Sequence, residues 1–252
     1  SLSRRPMGRV INPLSQMGAN IVGRQNNKYL PITVIPTKEN LHGISYKMPM
    51  ASAQVKSAIL LAGMNADDET TVTEPYTSRD HTERMLTGFG VKLKKSGTSI
   101  TISRVNKMTP PAEIHVPGDI SSAAFWLVAA SIIEGSDVIL KDVGINETRT
   151  GIIDVLKDMG ADIQLLNVRD EVEPLADIRV RYAKLHGTIF GADIMPRLID
   201  EIPIIAVAAM FAEGTTKITG AGELRVKETD RLQVITDEFN KVCPCIEGLE
   251  DG

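Results

Sequence analysis

The segment from Glu223 to Arg231 has charged side chains at a spacing that suits proton transfer. Between Arg225 and Arg231, five of seven residues are acids or bases, and Lys227 lies four positions before Arg231. Residues four apart share a face of a helix, so these two cations would hold an anion beside the carboxylate of Glu228. A solvated, salt-bridged surface is the alternative interpretation, and the spacing leaves both open.

Two further segments carry groups that suit phosphate binding. Ser52-Ala53-Gln54 stands at the start of an apolar helix, where a hydroxyl, an amide and free backbone N–H groups would point toward one place. Ser78-Arg79 stands at the next helix start and adds a guanidinium. Two alternatives stay open, namely Ser52 as an N-cap only and Arg79 as a surface partner of Glu83.

Two acidic residues precede a third apolar helix. Asp200 and Glu201 lie just before an apolar run at 202–212. Asp200 is either the N-cap of that helix or a candidate for chemistry, and its position alone does not decide. His115 and His186 adjoin strand patterns, and we interpret both as structural.

An internal repeat must position these groups. Gly18, Gly90 and Gly160 each end a helical pattern and precede a strand pattern, at spacings of 72 and 70 residues. Apolar, Ala-rich runs at 57–64, 123–133 and 204–212 are too long for strands and are followed by β-branched segments. The repeating unit is therefore predicted to be β-α-β-α-β-β.

This repeat predicts an α/β (α+β) fold in two lobes. Complete units are expected at 40–105 and 112–183, after a partial unit that begins with a helix near 7–17. A last unit would reach a helix from Glu228 to about Lys241, where Cys243-Pro244-Cys245 replaces the expected Gly-Ala pair. We expect residues 1–115 to form the first lobe and residues 116–252 the second. Because the chain starts and stops in mid-unit, we interpret it as an internal fragment.

Composition excludes several classes of protein. The net charge is -4, from 28 Lys and Arg against 32 Asp and Glu, so the composition does not indicate the basic surface of a nucleic-acid-binding protein. No stretch approaches the roughly 20 apolar residues of a membrane span, so we expect a cytoplasmic protein without a membrane partner. Two cysteines and four histidines lack zinc-ligand spacing, and we expect neither a metal nor a cofactor.

The motifs, taken in order, resemble those of the 5-enolpyruvylshikimate-3-phosphate (EPSP) synthase family. The resemblance covers residues 4–242, and Leu224 to Arg231 is close to a family signature. The other matching motifs are Arg4-Arg5-Pro6-Met7, Ser52 to Lys56, Ser78 to Glu83, Val116 to Ala123 and Asp200 to Pro203. The residues at 52–56, 79–83 and 146–149 further resemble the second bacterial class, which is associated with tolerance of glyphosate.

The resemblance implies a two-lobed enzyme, with three units in each lobe, that closes over two phosphorylated small molecules. Such an enzyme moves the enolpyruvyl group of phosphoenolpyruvate to the 5-hydroxyl of shikimate 3-phosphate. By matching position, shikimate 3-phosphate would contact Ser52, Ala53, Gln54, Ser78, Arg79, Asp200 and Lys227. Phosphoenolpyruvate would contact Arg5, Gln54 and Arg231. Asp200 would accept the hydroxyl proton, and Glu228 would exchange protons with the enolpyruvyl methylene carbon.

Departures from the family pattern lead to further expectations. The N-terminal Gly-Asp-Lys-Ser segment and the C-terminal arginine, histidine and lysine segments have no counterpart here. We therefore expect the isolated chain to turn over poorly and the missing terminal segments to be its partners. One alternative is a UDP-amino-sugar enolpyruvyl transferase, whose loop cysteine neither Cys243 nor Cys245 matches in position. Another is a non-catalytic scaffold of the same fold that only binds anions.

Overall fold

The computed structural model describes residue 3 and residues 5–252, and the chain divides into two compact units, Ser1–Ile114 and His115–Gly252. This division falls one residue before the boundary expected from the repeat. Both units mix helices and sheets, so the predicted fold class is confirmed. No helix among the described residues is long and apolar enough to cross a bilayer.

The first unit contains a helix and a hairpin, followed by one complete repeat. The opening elements are α1 (Gly8–Gln16), β1 (Asn20–Gly23), the left-handed turn α2 (Arg24–Asn27) and β2 (Tyr29–Ile35). The repeat consists of β3 (Ser45–Lys47), α3 (Ala53–Gly63), β4 (Thr70–Thr73), α4 (His81–Gly88), β5 (Leu93–Ser96) and β6 (Ser99–Ile102). The sheet order is β3-β4-β6-β5, with β3 parallel to β4 and the other pairs antiparallel. The β-α-β-α-β-β order predicted for residues 40–105 is confirmed.

The second unit holds one nearly complete repeat and part of another. The first of these consists of α5 (Ile120–Ile132), β7 (Asp137–Gly144), α6 (Gly151–Asp158), β8 (Asp162–Arg169) and β9 (Leu175–Arg181). Its front strand is reduced to one parallel bridge between Gly118 and Val143. The remaining elements are β10 (Ile189–Phe190), α7 (Ile202–Met210), β11 (Lys217–Ile218) and α8 (Arg231–Asn240). β9 lies between β7 and β8 in an antiparallel sheet, and β10 pairs in parallel with β11.

The repeat glycines have one physical explanation. Gly18, Gly90 and Gly160 adopt φ values of +95°, +79° and +93°, which side chains with a Cβ disfavour. In each case the next residue donates its N–H to a carbonyl five positions back, which closes a Schellman motif. The pairs are Ala19 to Leu14, Val91 to Leu86 and Ala161 to Leu156. The regular spacing therefore marks helix ends that need a left-handed residue.

Polar caps fix where the helices near the candidate sites begin. The predicted Ala-rich helices are α3, α5 and α7, so this prediction is confirmed. α3 begins after Ser52, whose hydroxyl accepts a hydrogen bond from the Val55 N–H at 3.4 Å. α8 begins after Asp230, whose carboxylate accepts from the Gln233 N–H at 3.0 Å. Each cap satisfies a backbone donor that the first turn leaves unpaired.

Candidate anion-binding sites

The start of α3 can cap its helix and bind an anion at the same time. The Ser52 hydroxyl accepts from the Val55 N–H and keeps its own hydrogen as a donor. Gln54 is exposed, and its amide oxygen accepts from Arg9 at 3.1 Å, a bond that does not use its NH₂ group. The two interpretations of Ser52 are therefore compatible.

A buried ion cluster lies beneath this helix start. Lys56 is 1% exposed, and its ammonium donates to Glu74 at 2.9 Å and to the carbonyl of Ser78 at 3.5 Å. Glu83 Oε1 lies 2.7 Å from the same nitrogen, close enough for an ion pair although the angle does not suit a hydrogen bond. Because Glu83 belongs to α4, the cluster ties α3 to α4. Sequence reasoning missed Glu74, and the only signal was a lysine within an apolar helix.

Ser78 is held by the same cluster. Its hydroxyl donates to Glu74 Oε1, and its N–H donates to Glu74 Oε2 at 3.4 Å. Arg79, the next residue, is half-buried. Glu83 is only 13% exposed and faces Lys56, which disfavours the surface pairing of Arg79 with Glu83. The cluster therefore fixes the backbone from which Ser78 and Arg79 project.

In the second unit, Arg231 brings together two of the acids singled out from the sequence. Its Nη1 lies 3.5 Å from Asp200 Oδ1, and its Nε and Nη2 donate to Glu228 Oε1 at 2.9 and 2.6 Å. All three side chains are partly exposed, between 27% and 47%. A guanidinium has five N–H donors, so these bonds leave two for an incoming anion.

Lys227 does not lie where the helical pattern predicted. It adopts an extended conformation after a 3-10 helix at Gly222–Val226, and α8 begins only at Arg231 because Asp230 caps it. The expected helix from Glu228 and the shared helix face of Lys227 and Arg231 are therefore wrong. Lys227 instead donates to Glu223 at 2.7 Å.

Asp200 is not the cap of the helix that follows it. It lies in a 3-10 turn at Ile199–Glu201, and Glu201 occupies the N-cap position of α7. The N-cap interpretation of Asp200 is therefore wrong. Its side chain is exposed and faces Arg231, which leaves it accessible to a ligand.

Glu201, in contrast, belongs to a buried polar cluster that the sequence did not reveal. It is 1% exposed and accepts from the Ser121 hydroxyl, to which Arg149 donates at 2.6 Å. Arg149 also donates to Asp119 at 3.3 Å. Burial raises the pKa of Asp119, but hydrogen bonds from Ser122 and Ser121 and the charge of Arg149 outweigh it, so the pKa lies below its ordinary value. This cluster joins the starts of α5 and α7.

The remaining candidates lie elsewhere in the two units. Arg5 is exposed in the first unit, and Arg4 lies outside the described residues. His115 contacts Glu171 at 2.9 Å, and the ring of His186 packs against Gly160. Among the described residues, no three His, Cys, Asp or Glu side chains are arranged to hold a metal ion.

Comparison with known proteins gives a consistent match over the whole chain. The model of the family described as EPSP synthase (3-phosphoshikimate 1-carboxyvinyltransferase) matches residues 1–252. A 3-phosphoshikimate 1-carboxyvinyltransferase from Gloeothece citriformis is 55% identical over 255 residues, which cover 100% of this chain and 56% of the relative. The enzyme of the same name from Thermoanaerobacter sp. is 54% identical, with 59% of its length covered. The chain thus spans a little over half the length of these curated relatives.

Solved structures show the same fold. EPSP synthase from Acinetobacter baumannii superposes with a TM-score of 0.89 at 49% identity, covering 100% of this chain and 57% of that one. The enolpyruvyl transferase NikO from Streptomyces tendae superposes with a TM-score of 0.68 at 18% identity, covering 87% of this chain and 52% of that one. At that identity, the second likeness supports the fold alone.

Proposed function

Because this chain belongs to the EPSP synthase (3-phosphoshikimate 1-carboxyvinyltransferase) family, we propose that it serves enolpyruvyl transfer from phosphoenolpyruvate to the 5-hydroxyl of shikimate 3-phosphate. The reaction releases phosphate and belongs to aromatic amino-acid biosynthesis, in the cytoplasm. The observation that carries the proposal is the Arg231 guanidinium, 3.5 Å from Asp200 and 2.6 Å from Glu228. One cation beside two carboxylates provides charge compensation and two groups for proton transfer.

The proposed chemistry is an addition followed by an elimination. Glu228, in its protonated form, delivers a proton to the methylene carbon of phosphoenolpyruvate and makes C2 electrophilic. The 5-hydroxyl oxygen adds there while Asp200 takes its proton. In the resulting ketal the C2–O bond to phosphate breaks, and phosphate leaves with the electron pair. Glu228 then removes a proton from the methyl carbon, which restores the double bond. Cations near the phosphates stabilise the developing charge.

Substrate recognition in this proposal uses the residues that match the motifs of the family. Shikimate 3-phosphate would be bound by Ser52, the backbone of Ala53, Gln54, Ser78, Arg79, Asp200 and Lys227. Phosphoenolpyruvate would be bound by Arg5, Gln54 and Arg231. The free donor of the Ser52 hydroxyl and the two remaining N–H groups of Arg231 support these roles.

Ligand binding would require one hydrogen bond to change. The hydroxyl of Ser78 has one hydrogen, and that hydrogen is donated to Glu74. To donate to a phosphate, the hydroxyl must rotate away from Glu74, whose Oε2 would still accept from Lys56. Arg79 would bind the phosphate through a charge-assisted hydrogen bond, so we expect it to contribute more to phosphate affinity than the neutral hydroxyl of Ser78.

The proposal is tested by calorimetric titration of the chain with shikimate 3-phosphate. Arg79→Ala should weaken binding about tenfold, because a charge-assisted hydrogen bond contributes roughly 1.5 kcal/mol. Arg104→Ala is the matched control, since it removes an exposed guanidinium of the same unit that pairs with Asp67. Unchanged affinity in Arg79→Ala, or an equal loss in the control, would contradict the assignment. A chain that does not bind shikimate 3-phosphate would favour the non-catalytic scaffold.

A further inference from the structure

The last helix of the chain ends unlike the helices that precede a repeat glycine. The repeat glycines lie two residues beyond the last helical residue. After α8 that position holds Val242, and Cys243, Pro244 and Cys245 follow it. The described non-glycine residues with positive φ are Gln25, Asn26, Asn27, Asp142 and Asn167. Neither Val242 nor Cys243 is among them, so α8 ends without the left-handed residue that closes α1, α4 and α6.

A tighter turn takes the place of that residue. The Cys245 N–H donates to the carbonyl of Cys243 at 2.8 Å, which closes a three-residue γ-turn around Pro244. The proline ring holds φ near about -65°, close to the value of about -75° at the centre of an inverse γ-turn. Such a turn brings its outer Cα atoms to roughly 5.5 Å. Disulfides span about 4.4–6.8 Å between Cα atoms, so the turn has a suitable separation.

Hydrogen bonds on both sides hold this turn against α8. The Cys243 N–H donates to the carbonyl of Phe239 at 2.9 Å. Beyond the turn, the side chain of Asn240 accepts from the Ile246 N–H at 3.0 Å and donates to the Ile246 carbonyl at 2.8 Å. These hydrogen bonds therefore keep the backbone of the two cysteines in the turn before any disulfide forms.

Both thiols are accessible and lie two residues apart in the chain. Cys243 is half-buried and Cys245 is exposed, and neither forms a disulfide in this structure. A hydrogen bond between the two side chains is the main cause that raises the pKa of Cys245. Cys245 thus keeps its proton to higher pH than an ordinary thiol, which favours Cys243 as the first nucleophile.

We propose that Cys243 and Cys245 form a redox-active dithiol that closes to an intramolecular disulfide when a low-molecular-weight disulfide, such as glutathione disulfide, is the oxidant. The thiolate of Cys243 attacks one sulfur of the oxidant and expels one glutathione thiolate. Cys245 then loses its proton and attacks the Cys243 sulfur of the mixed disulfide, expelling the second glutathione thiolate. Two protein thiols are oxidised, one external disulfide is reduced, and two glutathione molecules leave. The dithiol takes no part in the proposed transfer reaction.

The test is to equilibrate the 252-residue chain in buffers with graded ratios of glutathione disulfide to glutathione, block free thiols with N-ethylmaleimide and record intact masses. The expected product is a monomer that has lost two hydrogen atoms and takes up no N-ethylmaleimide, and that dithiothreitol returns to the doubly blocked form. A chain that instead carries two glutathione adducts, a cross-linked dimer, or two free thiols at the most oxidising ratio would overturn the proposal.

Three variants separate a preformed pair from two independent surface thiols. Cys243→Ser and Cys245→Ser should each stop at a mixed disulfide with one glutathione, because no second thiol can displace it. Pro244→Ala should lower the equilibrium constant for ring closure about 2- to 5-fold, since it frees the turn in the reduced chain. An unchanged equilibrium constant for ring closure in Pro244→Ala would contradict a role for the turn. A single-cysteine variant that ends without bound glutathione would contradict displacement by the second thiol.

Discussion

The two units hold their central cations in opposite surroundings. In the first unit the Lys56 ammonium is almost completely buried between Glu74 and Glu83. In the second, the Arg231 guanidinium is 27% exposed beside Asp200 and Glu228, which are 36% and 47% exposed. The buried cation has its donors directed at protein acceptors, whereas the exposed one keeps N–H groups available.

This difference separates a structural ion cluster from one suited to ligands. Buried charges are costly to leave unpaired, so the Lys56 cluster must persist whenever the unit is folded. Exposed pairs contribute little to stability and are screened by solvent, so a ligand can replace one partner at small cost. We therefore expect substitutions in the first cluster to change folding and those in the second to change binding.

The largest expected effect is that of Lys56→Met. Removal of the ammonium leaves Glu74 and Glu83 without their buried counter-ion, and the free energy of unfolding should fall by about 3–5 kcal/mol. Urea denaturation measures this change. Lys94→Met removes an exposed lysine that pairs with Glu69 and should leave the free energy of unfolding almost unchanged. A similar change in the free energy of unfolding for the two variants would mean that the buried Lys56 cluster contributes no more to stability than the exposed pair of Lys94 and Glu69.

The next effect is that of Arg231→Ala on ligand binding. Loss of charge-assisted hydrogen bonds should weaken phosphoenolpyruvate binding about tenfold or more. The free energy of unfolding should change by less than about 1 kcal/mol, because the ion pairs are exposed. Calorimetric titration and urea denaturation measure the two quantities. Arg179→Ala, which removes an exposed guanidinium of the same unit paired with Asp137, should change neither. A large loss of stability without a loss of binding in Arg231→Ala would mean that the Arg231 cluster serves folding and not ligand binding.

The smallest effect concerns a buried carboxylate in the second unit. Asp177 accepts from Lys141 at 2.6 Å, from Asn167 at 2.8 Å and from the Asp142 N–H at 3.1 Å. These hydrogen bonds, with that of Lys141 the largest cause, lower the pKa of Asp177 from 3.8 to about 2. Since the folded pKa lies below the unfolded one, the stabilisation is present above pH 3.8 and is lost as the pH falls through about 2.

Asp177→Asn tests this acid dependence. Urea denaturation from pH 5 to about pH 2 should show a shallower decline in the free energy of unfolding for the variant than for the natural chain. Asp142→Asn, at the neighbouring bulge, should keep the natural slope. Parallel curves for Asp177→Asn and the natural chain would show that these hydrogen bonds do not lower the pKa of Asp177.

The sequence alone determined the order of elements and the local ends of helices. Gly18, Gly90 and Gly160 could be recognised because a left-handed helix end needs glycine. The start of α8 was misplaced by three residues, because the cap at Asp230 competes with a continuous pattern of charges around it. The proximity of Glu228 to Arg231 also followed from their short separation in the chain.

Only the tertiary structure decided which distant charges meet. Lys56 and Glu74 are 18 residues apart, and Asp200 and Arg231 are 31 apart, yet each pair is in contact. A helical period predicts the face on which a side chain lies, but not the element that packs against that face. The sequence did not identify Glu74 or Glu201 as buried. Packing places both in the interior, where a buried carboxylate must find a cation or a hydroxyl.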